Sequence, residues 1–301
     1  MGILIDKNTR VLVQGITGRE GSLRARYMKD YGTRVVAGTS PGKGGTDVYG
    51  VPVYDTVAEA LAVGGPVDFS VVFVPGRALL PAIEEAADAG VPNLVACVES
   101  VPIHDIMVMV EYCRERGTRL FGPGTIGAIT PGEAVVGWLG GSVDWANTFF
   151  APGPIGVLSR SGGQSATVAW VLSRTGFGVS TVIHTGTEPV VGTCMAELLP
   201  LFEADPQTQA VAVFSEIGGS QEEECAEVIA SGGFTKPFVM FVAGSWAPEG
   251  QRFSHASSIV ERGRGSAKSK IEAVEKAGGY SAASPNDIPR ILRAVLARPA
   301  P

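Results

Sequence analysis

The sequence is short of cysteine, histidine and charge. It has four cysteines and three histidines in 301 residues. Cys97, Cys113, Cys194 and Cys225 are widely spaced, form no CxxC pair and have no histidine beside them. That fits a reduced, cytoplasmic protein better than a disulfide or zinc framework, and no metal ligands are expected. No stretch approaches the ~18 consecutive apolar residues of a membrane span. The opening Met1-Gly2-Ile3-Leu4-Ile5-Asp6-Lys7 has no signal-peptide pattern either, so no membrane partner is expected. Basic side chains are in the minority, 24 Lys and Arg against 30 Asp and Glu, and the net charge of −6 disfavours a nucleic-acid partner. Short repeats and low-complexity segments are missing as well.

Glycine is abundant, 40 residues without a collagen-like period, and such glycine sits mostly in loops where backbone approaches a ligand. At about 150 residues per domain the length predicts two domains, 1–128 and 129–301. The first reads as alternating strand and helix: strands Arg10–Gln14, Arg34–Thr39, Asp68–Pro75, Asn93–Cys97 and Arg119–Phe121, with helices after the first glycine loop, at Arg77–Ala89 and at Asp105–Arg116. The strands are apolar nearly throughout, as strands covered on both faces must be. Periodicity fades from Gly122 to Pro154, where a linker and irregular strands are expected around Trp138 and Trp145. Alternation then resumes with strands Ile155–Ser159, Val179–His184, Ala210–Ser215 and Phe238–Ala243. Between and after them come helices Gln164–Thr175, Cys194–Glu203, Glu222–Ala230, Lys268–Lys276 and Asn286–Ala297. The predicted fold class is α/β, two doubly wound units in series.

Gly15-Ile16-Thr17-Gly18-Arg19-Glu20-Gly21 follows the first strand and opens a helix, whose free amides and dipole suit a phosphate. Its GxxGxxG spacing is not the common dinucleotide fingerprint. The second strand also ends without the carboxylate that binds a ribose; Pro41-Gly42-Lys43-Gly44-Gly45 stands there instead. That weakens an NAD reading, while an NADP enzyme remains open through Lys43. Among the histidines, His104 stands where a helix begins, and His184 ends a strand on the ligand-facing side of a doubly wound sheet. His255 lies in the long loop Gln251-Arg252-Phe253-Ser254-His255-Ala256-Ser257-Ser258-Ile259, among small residues that leave room around an imidazole. Neutral imidazole is a good nucleophile toward phosphorus and a good leaving group. It would need a phosphate cradle and an orienting carboxylate. Ser159-Arg160-Ser161-Gly162-Gly163 and Glu216, at strand ends of the same half, are the candidates.

With these residues assembled, the chain resembles the α subunit family of succinyl-CoA synthetase over essentially its whole length. The resemblance rests on Ile3–Thr9, Gly15–Gly21, Pro41–Gly45, Ser159–Gly162, Asp205-Pro206-Gln207-Thr208, Glu216-Ile217-Gly218-Gly219 and the His255 loop. Ser161-Gly162-Gly163-x-Ser165 is also similar to the equivalent loop of ATP-citrate lyase. The resemblance implies a Rossmann-like CoA-binding domain and a flavodoxin-like ligase domain. It places CoA on Gly15, Thr17, Gly18, Arg19, Glu20, Gly21, Lys43, Val74, Pro75, Val98 and Glu99. It further implies phosphorylation of His255 by a nucleoside triphosphate, with Glu216 as its partner, then an acyl phosphate that the CoA thiol attacks. ATP or GTP with Mg²⁺ is expected in an ATP-grasp β subunit, and the substrate is a small carboxylic acid.

Three stretches depart from the family pattern. Gly122-Pro123-Gly124-Thr125-Ile126-Gly127 replaces Gly-Pro-Asn-Cys-Pro-Gly, near the thiol end and the acyl group. Ser254 and Ser257 replace glycines beside the histidine, and His184-Thr185-Gly186-Thr187-Glu188-Pro189 replaces Ile-Gly-Gly-Asp-Pro. These changes imply an acid other than succinate. A ligase with a non-CoA acceptor, or a non-catalytic CoA- or nucleotide-binding module, are the alternatives; retention of both His255 and Glu216 argues against the latter.

Overall fold

A computed structural model describes residues 2–246 and 265–297. His255 and its neighbours Ser254, Ser257 and Ser258 lie outside the described residues. The first part of the chain runs β1 (Arg10–Gln14), α1 (Arg19–Tyr31), β2 (Arg34–Thr39), β3 (Asp47–Val48), β4 (Val51–Tyr54), α2 (Val57–Gly64), β5 (Phe69–Val72), α3 (Leu79–Asp88), β6 (Asn93–Ala96), α4 (Ile103–Glu115) and β7 (Arg119–Phe121). The strands form one sheet in the order β3-β4-β2-β1-β5-β6-β7, parallel except for the β3–β4 pair. Val11, Leu12 and Val13 are all buried because helices cover both faces of β1. From β4 onward the order is that of a mononucleotide-binding fold, and it reverses direction between β1 and β5.

The second part runs β8 (Gly127–Thr130), β9 (Ala134–Gly137), α5 (Val143–Phe149), β10 (Pro152–Ser159), α6 (Gly162–Arg174), β11 (Val179–His184), α7 (Met195–Ala204), β12 (Ala210–Glu216), α8 (Gln221–Ala230), β13 (Phe238–Ala243), α9 (Ala267–Lys276), β14 (Tyr280–Ala282) and α10 (Ile288–Leu296). Its sheet has the order β14-β13-β12-β10-β11-β8-β9. The five parallel strands β10 to β14 follow the flavodoxin-like order, which reverses between β10 and β12. β8 and β9 extend the sheet as an antiparallel hairpin. β8 thus belongs to the second sheet, and a division of the chain at residue 128 would run through this strand.

The hairpin also packs against the first sheet's α1. Thr33 Oγ1 donates to Val135 O (2.7 Å) and accepts from Val135 N–H (2.9 Å), and the Tyr27 hydroxyl donates to Leu139 O. A second tie comes from the amino-terminal segment, where Ile3 N–H donates to Thr181 Oγ1 of β11 (3.1 Å) and Thr130 Oγ1 donates to Ile5 O (2.9 Å). Apolar packing is accordingly continuous from Val11 and Val13 through Ile129 and Val135 to Val157 and Val211.

Two regions hold elements that the residue pattern does not announce. β4 contains Pro52, and α2 is an eight-residue alanine-rich turn of helix whose clearest signal is Thr56, its N-cap, accepting from Glu59 N–H (3.2 Å). α5 is too short for a helical period, and Ser142 caps it through Trp145 N–H (3.3 Å). Among the described residues no helix is long and apolar enough to cross a membrane.

Candidate functional site

In an open α/β sheet the loops on either side of a reversal in strand order part from each other and leave a crevice at the carboxyl ends of the strands. This chain has two such reversals, and the candidate residues fall on both.

The first crevice lies between the ends of β1 and β5. It is a cleft of about 400 Å³ lined by Gly15, Thr17 and Gly18 on one side, Val74 and Pro75 on the other, and Thr39, Ser40 and Pro41 at the end of β2. α1 begins here with Gly18 as N-cap and no side chain spent on its amides, so these N–H groups are open to an anionic ligand. Gly21 serves packing, since a Cβ there would stand 2.2 Å from Gly15 O. Of the other CoA candidates, Arg19 and Glu20 are exposed on the first turn of α1, where Glu20 pairs with Arg24 (3.2 Å). Lys43 is exposed in the turn that follows Ser40, closed by Lys43 N–H on Ser40 O (3.0 Å). Val98 and Glu99 follow β6, outside the cleft lining.

The second crevice lies between the ends of β10 and β12, and it brings Ser159–Gly163 and Glu216 together. Ser159 is buried, and its hydroxyl accepts from Ser161 N–H (2.9 Å) and donates to Ser161 O (3.0 Å), which fixes the bend into α6. Ser161 is the N-cap of α6 with no side-chain cap, and exposed Gly163 has nothing within 4 Å of a would-be Cβ. The helix therefore opens with unspent amides, as a phosphoryl site requires. Arg160 turns inward beneath them. Its Nη2 donates to Glu188 O (2.7 Å), and Nη1 lies where any side chain at Gly219 would collide, 2.9 Å from the Cβ position. Burial lowers the Arg160 pKa from its ordinary range, while the carboxylates of Glu222 and Glu216 oppose that shift.

Glu216 ends β12 half-buried, and the chain then reverses through Gly218 and Gly219, both left-handed (φ 90° and 67°) as only glycine adopts freely. The reversal is held by a buried ammonium: Lys270 Nζ, on α9, donates to Glu216 O (2.8 Å), to Gly218 O (2.7 Å) and to the Glu222 carboxylate. Glu222 Oε1 also accepts from Ser215 Oγ (2.6 Å). The described chain re-emerges on this loop, since Gly218 N–H donates to Gly265 O (2.7 Å). Lys270 and Glu222 were not among the sequence candidates. Lys270 stands on the buried stripe Ala267–Lys270–Val274, and a charge on an apolar stripe is the signal that points to it.

The 122–127 loop ties the segment that follows β6 to the end of β11. Gly124 N–H donates to Val98 O (2.8 Å), Gly122 N–H to Thr185 O (3.1 Å), and Ile126 N–H to His184 Nδ1 (2.9 Å). Alongside it, Glu188 Oε1 accepts from Ser100 N–H (2.6 Å). The histidine at the start of α4, His104, is exposed. Burial pushes the thiols of Cys113 and Cys194 up to about 11, and those of Cys97 and Cys225 further still, so among the described residues no cysteine is poised as a nucleophile.

Comparison with known proteins also recognises two domains in the chain. Residues 6–100 match the family described as a CoA binding domain, and residues 158–279 the one described as CoA-ligase. The chain is 43% identical to the ADP-forming sulfoacetate-CoA ligase subunit SauD of Bilophila wadsworthia, over 98% of this chain and all of that one. It is likewise 43% identical to the alpha subunit of the ADP-forming succinate–CoA ligase of Aquifex aeolicus, over 98% of this chain and 95% of the relative. Among solved structures, the ATP citrate lyase of Methanosaeta concilii in complex with (3S)-citryl-CoA shares the fold, with a TM-score of 0.87 and 24% identity. That match covers 97% of this chain, which spans half the length of the lyase chain. Near-complete coverage by relatives at this identity, with both domains in the same order, places the chain in the family of CoA-ligase alpha-type subunits to which the succinate–CoA ligases belong.

Proposed function

We propose that this chain is the α-type subunit of a nucleoside-diphosphate-forming acid–CoA ligase, with His255 as phosphoryl carrier. The observation that carries the reading is the meeting of Glu216 with the open amides of Gly162 and Gly163 at one strand-order reversal, beside the ends of the segment that contains His255. In this reading neutral His255 attacks the γ-phosphorus of the nucleotide, the bond to the diphosphate breaks, and the α6 amides take up the charge of the phosphoryl oxygens. Glu216 accepts the other imidazole N–H and stabilises the positive ring that results. A carboxylate oxygen of the acid then takes the phosphoryl group, and the CoA thiolate attacks the acyl carbon and releases phosphate. The first cleft suits CoA: its open amides could take a phosphate while Val74 and Pro75 give an apolar wall.

The relatives named above act on succinate and on sulfoacetate, each a small carboxylic acid with a second anionic group, and we infer an acid of that kind here. The partner is an ATP-grasp β subunit that holds ATP or GTP with Mg²⁺. The domain division falls within residues 122–126, where the chain leaves the first sheet.

The test is reconstitution. With an ATP-grasp partner, γ-labelled ATP and Mg²⁺, this chain should take up label that is acid-labile and alkali-stable, as phosphohistidine is; acid-stable label, or robust thioester formation by the isolated chain, would refute the reading. A separate expectation concerns CoA. Lys43→Ala removes a point charge beside the first cleft, and since charge-assisted bonds contribute about 1.5–3 kcal/mol, affinity should fall roughly tenfold or more, with a weaker salt dependence. An unchanged Kd in calorimetry would return Lys43 to the solvated surface.

A further inference from the structure

We infer that His184 is a positioning residue that locks the 122–127 loop to the phosphate-binding start of α6, so that the acyl-acceptor and phosphoryl stations keep one separation. The inference rests on the proposed ligase function and on the place near the acyl group that the resemblance implies for residues 122–127. His184 ends β11 and is only 1% exposed. Its Nδ1 accepts from Ile126 N–H (2.9 Å), and a backbone amide can only donate, so Nδ1 carries no proton. Its Nε2 lies 3.0 Å from Arg160 O, which can only accept, so Nε2 carries the proton and donates. A single neutral tautomer satisfies both loops at once; the other tautomer satisfies neither.

Packing closes around this ring. Thr125 Oγ1 donates to the His184 carbonyl and accepts from Gly127 N–H (2.9 Å). At Gly162, the first residue of α6, a Cβ would stand 3.2 Å from His184 Nδ1 and 2.6 Å from Ile126 Cδ1. The imidazole therefore occupies the seam between the two loops and is bonded to each. From Arg160 the link continues through Nη2 to Glu188 O, and the Glu188 carboxylate holds Ser100, a non-glycine residue at φ 60°. Loop register across such a seam matters because misplacing reacting groups by an ångström costs rate steeply.

The two legs are separable by side chains that imitate one ring nitrogen each. In His184→Asn the amide oxygen stands in for Nδ1 and keeps the bond from Ile126. In His184→Gln the amide nitrogen stands in for Nε2 and keeps the bond to Arg160. Each variant is to be reconstituted with the ATP-grasp partner, checked for an unchanged thermal midpoint of unfolding, and followed in two half-reactions. These are label uptake from γ-labelled ATP, and discharge of the labelled chain by acid and CoA. Loss of one buried hydrogen bond should slow the affected half-reaction about tenfold. Either loss breaks the link between the stations, so His184→Asn and His184→Gln should each slow discharge, the half-reaction that uses both stations, and leave uptake near wild type. Equal losses in both half-reactions for both variants, or no loss in either, would overturn the positioning role. A wild-type complex that takes up no label would instead overturn the phosphohistidine reading beneath it, which keeps the two failures apart.

Discussion

A chain carrying His255→Asn is expected to take up no acid-labile phosphate from γ-labelled ATP in the reconstituted complex, while its unfolding curve and CoA affinity stay as they were. Asparagine is close to histidine in size and polarity, and its sequence neighbours are small, but its amide nitrogen has no lone pair to give to phosphorus. The effect is therefore complete rather than graded. Glu216→Gln should behave differently. The amide oxygen can still accept the imidazole N–H, but it brings no negative charge to the ring as that ring becomes positive. Orienting and acid–base groups of this kind contribute about 10²- to 10⁴-fold, so uptake should slow within that range and still reach completion. Ser254, Ser257 and Ser258 flank the histidine and provide the internal control. If His255→Asn still takes up label, a hydroxyl is the carrier, and kinship to phosphohistidine ligases extends only to the fold.

The second large effect is on stability. Lys270→Met should destabilise the protein by about 3–5 kcal/mol, the usual cost of leaving one member of a buried ion pair alone. Lys270 and Glu222 are both about 1% exposed, so neither charge can turn to water when its partner is removed. The same substitution strips the ammonium from Glu216 O and Gly218 O, and the reversal after β12 loses what closes it. Removing Glu222 as well, in Lys270→Met with Glu222→Leu, should recover part of the loss: the lone buried carboxylate is gone, but the Glu216 and Gly218 carbonyls and the Ser215 hydroxyl still lack their partners. Urea denaturation of the single and double variants makes the comparison. A single variant within 1 kcal/mol of wild type, on the scale of about 5–15 kcal/mol for a whole domain, would mean that the pair is hydrated and carries little.

How much of this was legible beforehand depended on the kind of signal. The doubly wound architecture could be read from β1, β5, β6, β10 and β12, because strands covered on both faces are apolar at every position. The glycine loops at Gly15–Gly21 and Ser159–Gly163 could be read because each sits between such a strand and a helix. Residues 46–67 were silent: Pro52 interrupts β4, and α2 is too short to show a period. The β8–β9 hairpin hid in the glycine-rich stretch after Phe121, whose only regular feature is an antiparallel pairing that no local pattern encodes. The contribution of Lys270 was missed because a lysine in an amphipathic helix is read as a solvated one. His184 was placed at the ligand end of its strand by sequence, but its two hydrogen bonds join residues 126 and 160, and bonds of that span leave no local trace.

The hairpin's position has one more consequence. β8 and β9 belong to the second sheet by hydrogen bonding and to the first by packing, through Thr33, Tyr27 and Met28. Removing either sheet would expose one face of the hairpin and leave Val135 and Ile129, both fully buried, against water. Apolar packing runs through the interface, so the two architectural units should unfold as one, in a single transition by calorimetry.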